Sequence, residues 1–197
     1  QEPVQALQHL TGLVVIDEVQ RQDGLFPLLR VLLDRSDAAG QFLLLGSASP
    51  TLLRQAGESL LGRVETIEVG GFDLDEVSVN GHFSNAVAMQ LWLRGGFPRA
   101  FLAASDDDSM VWRHNAVADH VRIDLPQLGI NIAAPLMLRF WTMLAHYHGQ
   151  IWSAAPPAQS MGVSEPTIRR YLDTLTQTLM VRQLQPWHEN LGKRQVK

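Results

Sequence analysis

The feature that most constrains the fold is a short apolar run that ends in two adjacent carboxylates. Residues 13–18 read Leu-Val-Val-Ile-Asp-Glu. Such a run suits a strand buried on both faces of a parallel sheet, because its side chains are apolar on both sides. Asp17 and Glu18 then fall at the carboxyl end of the strand, where open α/β sheets bind their ligands. Two carboxylates at a partly buried edge are costly to desolvate, which favours a chemical role for them.

The acidic pair matches the Walker B pattern of P-loop NTPases. In those enzymes the aspartate holds Mg²⁺, usually through water, and the glutamate polarises the attacking water. The pattern predicts Asp17 as the Mg²⁺- and nucleotide-binding residue and Glu18 as the catalytic residue. An apolar strand capped by an Asp-Glu turn also occurs in many other proteins, so the pattern alone does not decide the function.

The segments that follow extend this strand into a βαβ unit. Residues 25–34 carry apolar side chains at helical spacing, and residues 41–49 form a second apolar run that ends in glycine and small hydroxyl side chains. Strand, helix and strand in this order predict a right-handed crossover between parallel neighbouring strands. Ser47 is therefore expected close to Asp17 and Glu18. The alternative is that Ser47 only ends the strand as a turn residue.

Six short motifs give the chain its resemblance to a group of prokaryotic AAA+-type ATPases, the AAA_14/DUF4143 group. They follow the order and spacing of that family: Ile-Asp-Glu-Val-Gln at 16–20, Leu-Leu-Leu-Gly-Ser-Ala-Ser at 43–49, Leu-Leu-Gly-Arg-Val-Glu at 60–65, Trp-Leu-Arg-Gly-Gly-Phe-Pro at 92–98, Asp-Leu-Pro-Gln-Leu-Gly at 124–129 and Asn-Leu-Gly-Lys-Arg at 190–194. The resemblance implies an ATPase that uses ATP and Mg²⁺, with Ser47 as the sensor of the hydrolytic water. It also implies a C-terminal DUF4143-type domain that would begin near Lys197.

Arg63 is the remaining catalytic candidate. It lies in the Leu-Gly-Arg motif after the second strand and could contact a γ-phosphate in its own subunit or in a neighbour, as an arginine finger does. The alternative is a simple ion pair with Glu65 or Glu68.

Two departures from the family pattern affect this prediction. The chain contains no Gly-x-x-x-x-Gly-Lys-Ser/Thr loop, which in P-loop enzymes cradles the β- and γ-phosphates. We therefore expect the chain to be an internal part of a longer protein and to be inactive as an ATPase by itself. Residues 122–124 are Arg-Ile-Asp where the family pattern is Glu-Arg-Asp, which leaves the role of that arginine in doubt.

The predicted fold class is α/β, a partial P-loop NTPase parallel sheet, followed by an all-α segment and a winged helix-turn-helix. The predicted domains are the C-terminal part of the ATPase core at 1–70, a helical segment at 71–134 and a winged-helix-like domain at 135–197. Within them we expect a third strand at 66–69 and a wing strand at 180–187. Three consecutive aspartates at 106–108 are expected to begin a long helix, because carboxylates there complement the helix dipole. A metal cluster is the disfavoured alternative.

The last third has the features of a DNA-binding module. Residues 139–197 hold 7 Lys+Arg against 3 Asp+Glu, whereas residues 1–138 hold 9 against 17. The third helix of the predicted helix-turn-helix presents Thr167, Arg169 and Arg170, and such a helix enters the major groove of double-stranded DNA. One alternative is a lid or a protein-docking module, with another protein or a second copy of the chain as the partner. Another is that the small basic face is only solvated surface.

Composition restricts the class of protein further. The chain has no cysteine, which fits a reducing compartment such as the cytoplasm. No apolar stretch approaches the roughly 18 residues of a membrane span, so no membrane association is expected. The leading functional hypothesis is Mg²⁺-dependent ATP hydrolysis by the intact protein. The alternative is a non-enzymatic part that binds nucleic acid or protein and carries a vestigial ATPase half.

Overall fold

The computed structural model describes residues 6–19, 22, 24–35, 38–47, 50–78 and 81–185. The chain divides into two compact units. Unit 1 is formed by Gln1–Val64 together with Val163–Lys197, and unit 2 is formed by Glu65–Gly162. The motif at 190–194 and the end of the predicted wing strand, 186–187, lie outside the described residues. No helix within the described part of the chain is both long and apolar enough to cross a bilayer.

The described elements follow the chain in the order β-α-β-α and then helices. They are β1 Val14–Ile16, α1 Leu25–Leu33, β2 Phe42–Leu44, α2 Pro50–Ser59, α3 Asn85–Arg94, α4 Pro98–Phe101, α5 Asp106–Asp119, a π-helical turn His120–Asp124, α6 Leu125–Gln127, α7 Ala134–Ala145, α8 Ala155–Met161 and α9 Glu165–Gln177.

The predicted βαβ unit is confirmed in unit 1. β1 and β2 are parallel neighbours, with Val14 opposite Phe42 and Ile16 opposite Leu44. Their inner side chains pack against a buried core from α1, the residue after the acidic pair and the residue after α2. The core residues are Val19, Leu25, Phe26, Leu29 and Leu60. The core therefore fixes the position of both strand ends.

The prediction that the first strand is buried on both faces is wrong. Val15 is 54% exposed and the paired Leu43 is 44% exposed. Helices of unit 1 cover one face of the sheet, and the described residues contribute no layer over the other. An apolar run predicts a buried strand, but burial depends on a second covering layer that the run itself does not provide.

The predicted third strand at 66–69 is also wrong. These residues have no regular structure, and Ile67 and Val69 are 76% and 83% exposed. A strand is stable only with a hydrogen-bonded neighbour, and no described segment pairs with this one.

A capping box lies at residues 73–76, shortly after this irregular segment. The Asp73 N–H donates to Glu76 Oε2 at 3.0 Å, and the Glu76 N–H donates to Asp73 Oδ1 at 2.9 Å. An aspartate followed three residues later by a glutamate is typical of a helix start. The box is formed, but only a turn follows it at 74–77.

Two glycines bring separate segments of unit 2 into backbone contact. The Phe72 N–H donates to the Gly96 carbonyl at 2.7 Å. A Cβ added at Gly96 would lie 2.4 Å from the Phe72 carbonyl oxygen, and one added at Gly71 would lie 2.6 Å from the Gly96 carbonyl carbon. The contact seats the Phe72 ring edge-on against Phe101, with 5.8 Å between ring centroids. Both positions therefore require glycine for space.

Arg94 joins the end of α3 to the loop before α5. Its Nε donates to Asp106 Oδ1 at 2.7 Å, and its Nη1 donates to the carbonyls of Ala103 at 2.6 Å and Phe101 at 3.2 Å. The side chain is only 12% exposed. Arg94 and Gly96 thus give the motif at 92–98 a structural role in unit 2.

The three aspartates at 106–108 form the first turn of α5, as predicted. The N-cap is Ser105, whose hydroxyl accepts the Asp108 N–H at 3.0 Å. Among the described residues no three histidine or acidic side chains come together as metal ligands. The aspartates stabilise the start of α5 through the helix dipole.

The π-helical turn after α5 contains a buried histidine. His120 is 6% exposed, its Nδ1 lies 3.2 Å from Asp124 Oδ2, and its ring meets Trp141 edge-on at 5.8 Å between centroids. Burial lowers the pKa of His120 below its ordinary value, and the neighbouring Asp124 only partly opposes this effect. Neutral His120 is therefore the form that the fold favours.

We expect the stability of the protein to fall as the pH falls below about 6.5. The unfolded chain protonates His120 at its ordinary pKa, whereas the folded chain resists protonation until a lower pH. The loss therefore begins near the unfolded pKa and ends below the folded pKa. Chemical unfolding between pH 5 and 7 measures it. The variant His120→Gln should show a weaker dependence on pH in this window, and an unchanged dependence would contradict the assignment.

The last third forms helices α8 and α9, but the predicted winged helix-turn-helix stays a prediction. The Ser164 hydroxyl caps α9 by accepting the Thr167 N–H, and Ile168, Leu172 and Leu175 are buried. The predicted wing strand is wrong over 180–185, which has no strand structure. The N–H groups of Met180 and Val181 donate to the Leu175 carbonyl instead, so the chain turns back on α9 and these donors are not available to a neighbouring strand.

Candidate active site

Asp17 and Glu18 leave the sheet as a two-residue excursion. The Leu45 N–H donates to the Ile16 carbonyl at 2.8 Å, and the Val19 N–H donates to the Leu45 carbonyl at 3.1 Å. The two acidic residues lie between these bonds and take no part in them. Ile16 and Val19 on either side pack in the core of unit 1. The core therefore holds both ends of the excursion and directs the acidic pair to the carboxyl edge of the sheet.

Glu18 has a strained backbone. Its φ is +54°, in the left-handed region that non-glycine residues rarely adopt. The Glu18 N–H donates to Asp17 Oδ1 at 2.9 Å, which supports this conformation. Strain of this kind costs about 1–3 kcal/mol and is concentrated at active sites and switch regions. No feature of the amino-acid pattern predicted this conformation.

Ser47 lies at the same edge of the sheet. It follows Leu45 by two residues, and neighbouring strands are about 4.8 Å apart. Asp17 and Ser47 are both exposed. The parallel register thus places the predicted sensor at the same edge of the sheet as the acidic pair. Asp17 is exposed and accepts the Glu18 N–H with one carboxylate oxygen, while its other oxygen makes no hydrogen bond within the described residues. An exposed carboxylate of this kind can hold a water ligand of Mg²⁺. The described residues fit the ion but provide no phosphate cradle.

Arg63 forms an ion pair that the sequence did not predict. Its Nε donates to Asp34 Oδ1 at 2.7 Å, and its Nη1 donates to the Leu61 carbonyl at 3.2 Å. The expected alternative partners were Glu65 and Glu68. Asp34 follows the last residue of α1, and Arg63 follows α2. Both helices run from the carboxyl edge of the sheet back toward its amino edge, so the residues that follow them lie at the same edge. The order of elements could therefore have indicated this ion pair.

Arg63 and the acidic pair belong to opposite edges of the sheet. α1 begins after the excursion and has 9 residues. A helix of that length spans about 13 Å, which is enough to run from one edge of the sheet to the other. Asp34, at the end of α1, therefore lies at the edge opposite Asp17 and Glu18. The structure therefore groups Asp17, Glu18 and Ser47 at one edge and places Arg63 with Asp34 at the other.

The basic residues of α9 are exposed, as the helix pattern predicts. Arg169 Nη2 lies 3.2 Å from Glu165 Oε2, and the Arg170 guanidinium carbon lies 5.9 Å from the centroid of the Tyr171 ring. Thr167 is half-buried, and its hydroxyl lies 3.0 Å from that of Ser164 at the helix cap. Two exposed cations and one hydroxyl on one helix can contact phosphates.

Comparison with known families divides the chain into two parts. Residues 86–197 match the model described as Domain of unknown function (DUF8612), and residues 2–78 match the model described as AAA domain. The first match covers more than half of the chain. The chain belongs to the DUF8612 family. The AAA-domain match confirms the resemblance of residues 16–65 to AAA+-type ATPases at the level of an AAA domain. The family model that matches the C-terminal part of this DUF8612 protein is not of the DUF4143 type.

Two curated mycobacterial proteins are similar to this DUF8612 chain. They are "Uncharacterized protein Rv2008c" of Mycobacterium tuberculosis and "Uncharacterized protein Mb2031c" of Mycobacterium bovis, each 51% identical over 194 residues. The alignments cover 98% of this chain and 43% of each relative. The chain thus spans less than half the length of the curated relatives that it matches. No solved structure matches the chain.

Proposed function

We propose that this chain forms part of a Mg²⁺-dependent ATPase of the AAA+ type. The observation that carries the proposal is the excursion of Asp17 and Glu18 at the carboxyl edge of a parallel pair, with Glu18 in a strained conformation. The match of residues 2–78 to an AAA domain supports it. Bound Mg²⁺ would neutralise the phosphates of ATP and supply charge stabilisation during hydrolysis.

The residues of the chain have separate roles in this proposal. Asp17 would hold a water ligand of Mg²⁺ through its carboxylate. Glu18 accepts a proton from the attacking water, and Ser47 orients that water from the neighbouring strand. Arg63 serves the γ-phosphate bound by a neighbouring copy of the protein, because its own acidic pair lies at the opposite edge of the sheet. The functional unit in this proposal is therefore an assembly of copies.

The chain by itself is expected to bind Mg²⁺·ATP weakly or not at all. It lacks the Gly-Lys-Ser/Thr loop whose backbone N–H groups hold the phosphates. Isothermal titration of the 197-residue chain, with the full-length protein as the control, measures this difference. Micromolar affinity in the short chain would show that the phosphates are held elsewhere and would contradict the P-loop arrangement. Absence of hydrolysis by the full-length protein would leave a non-enzymatic binding role.

A second candidate function is contact of α9 with double-stranded DNA. It is favoured by the exposure of Arg169 and Arg170 on the helix that the sequence predicts as the recognition helix. A protein partner at the same face remains the competing proposal.

If α9 contacts DNA, the affinity of the whole chain for a duplex should fall steeply as the salt concentration rises. Binding releases counterions from the DNA phosphates, and added salt opposes that release. The double variant Arg169→Ala/Arg170→Ala should lose most of that binding and keep its unfolding midpoint, since both side chains are exposed. Fluorescence anisotropy with a labelled duplex measures the effect. Arg99→Ala, which removes an exposed arginine from α4, is the control. Equal binding by the double variant and the parent would exclude α9 as the contact.

A further inference from the structure

The ion pair between Asp34 and Arg63 is built from two anchored groups. The Arg63 N–H donates to the carbonyl of Leu60 at 2.8 Å, and Leu60 is buried in the core of unit 1. The Asp34 N–H donates to the Arg30 carbonyl at 3.0 Å, in the last turn of a helix whose Leu29 is buried. Neither backbone position can move without disturbing the core. The pair therefore fixes the Arg63 guanidinium with respect to the sheet.

The bonds of this pair leave the outer part of the guanidinium available. An arginine carries five N–H donors, one on Nε and two on each terminal nitrogen. Within the described residues, Asp34 takes the Nε donor and the Leu61 carbonyl takes one Nη1 donor. Among the described residues, the Nη2 donors and one Nη1 donor make no hydrogen bond, and the side chain is 37% exposed. This geometry suits a guanidinium that contacts an anion bound to another copy of the protein.

We propose that Asp34 is a positioning residue that holds Arg63 in the orientation needed by the nucleotide of a neighbouring copy. This inference rests on the proposed ATPase function and on the role proposed there for Arg63. A long arginine side chain has many rotamers, and fixing it before the reaction removes an entropic cost from the hydrolytic step. In this proposal Asp34 contacts neither the nucleotide nor the attacking water, so it acts only through Arg63.

The first experiment measures ATP hydrolysis by the full-length protein and three variants. Asp34→Asn keeps the size of the side chain and is expected to lower kcat about 10-fold with little change in KM, since a misplaced group slows the chemical step. Asp34→Glu should recover part of this loss. Arg63→Ala should lower kcat by about 10³-fold, as loss of an arginine finger does. Glu65→Gln removes a nearby exposed carboxylate and should leave kcat unchanged.

The second experiment mixes subunits that carry different defects. A subunit with Asp34→Asn has an intact Glu18, and a subunit with Glu18→Gln has an intact pair of Asp34 and Arg63. If Asp34 orients Arg63 for a neighbour, mixed assemblies should hydrolyse ATP faster than the sum of the separate preparations. If Asp34 only stabilises its own subunit, mixing should give no gain, and the inference is overturned.

The outcomes separate this inference from the proposed function. A large loss in Arg63→Ala with normal kcat in Asp34→Asn would overturn the role of Asp34 and leave that of Arg63. Normal kcat in Arg63→Ala would overturn both, while loss of activity in Glu18→Gln would still support an ATPase. An unfolding midpoint that falls in Asp34→Asn together with kcat, with no recovery on mixing, would assign Asp34 a structural role and overturn the inference.

Discussion

Replacing Glu18 with glutamine in the full-length protein is expected to lower the turnover of ATP by about 10²-fold or more, as loss of a positioned general base does. Nucleotide affinity should stay nearly unchanged, because the proposed partner of Mg²⁺ is Asp17. Steady-state hydrolysis and nucleotide titration on the same preparation measure the two quantities.

The control for this substitution is Glu58→Gln, which makes the same chemical change at an exposed glutamate of α2. It should hydrolyse ATP at the parental rate. The strained backbone of Glu18 offers a second control, since Glu18→Gly relieves the strain and removes the carboxylate together. Glu18→Gly should therefore lose turnover while it unfolds no more easily than the parent. Parental turnover in Glu18→Gln would remove Glu18 from the mechanism.

Placing alanine at Gly96 is expected to destabilise unit 2 by about 3 kcal/mol or more, through overpacking and the loss of a backbone hydrogen bond between half-buried residues. The new methyl group would lie 2.4 Å from the Phe72 carbonyl oxygen, so the two backbones must separate. Separation breaks the bond from the Phe72 N–H and unseats the ring from Phe101. Urea unfolding measures the loss.

Gly70 and Gly71 provide a matched pair for this test. A Cβ at Gly71 would lie 2.6 Å from the Gly96 carbonyl carbon, whereas a Cβ at Gly70 meets nothing within 4 Å. Gly71→Ala should therefore destabilise unit 2 as Gly96→Ala does, and Gly70→Ala should leave the unfolding midpoint close to that of the parent. Equal midpoints for Gly70→Ala and Gly71→Ala would contradict the close approach of the two backbones.

Local patterns predicted the elements of the fold well where the interactions are themselves local. The order β1, α1, β2 follows from apolar spacing, and the aspartates at 106–108 begin α5 as expected. The caps Ser84 and Ser105 were not predicted, although each hydroxyl reaches an N–H only three residues later. Two strand predictions were wrong, one at 66–69 and the other over the described residues 180–185, and both depend on partners elsewhere in the chain. An alternating pattern describes what a strand would bury, but it does not supply the neighbour that pairs with it.

The candidate site was predictable only in part for the same reason. Asp17 and Ser47 could be placed together because parallel strands share one edge. The left-handed backbone of Glu18 depends on the two sheet bonds that flank it, and the bond between Arg63 and Asp34 joins residues 29 positions apart. Close contact between Gly71 and Gly96 is likewise a property of packing. These features arise from tertiary geometry, which no short window of sequence contains.

The division of the chain into units affects how the gene can be dissected. Unit 1 is discontinuous, since Gln1–Val64 and Val163–Lys197 lie on either side of Glu65–Gly162. The two family matches meet instead between residues 78 and 86. Expression plasmids that cut the gene at that junction would place β1 and β2 on one polypeptide and α9 on another. Two such products would have to reassemble unit 1 without a covalent link, so coexpression of both halves, rather than either half alone, is the arrangement that preserves it.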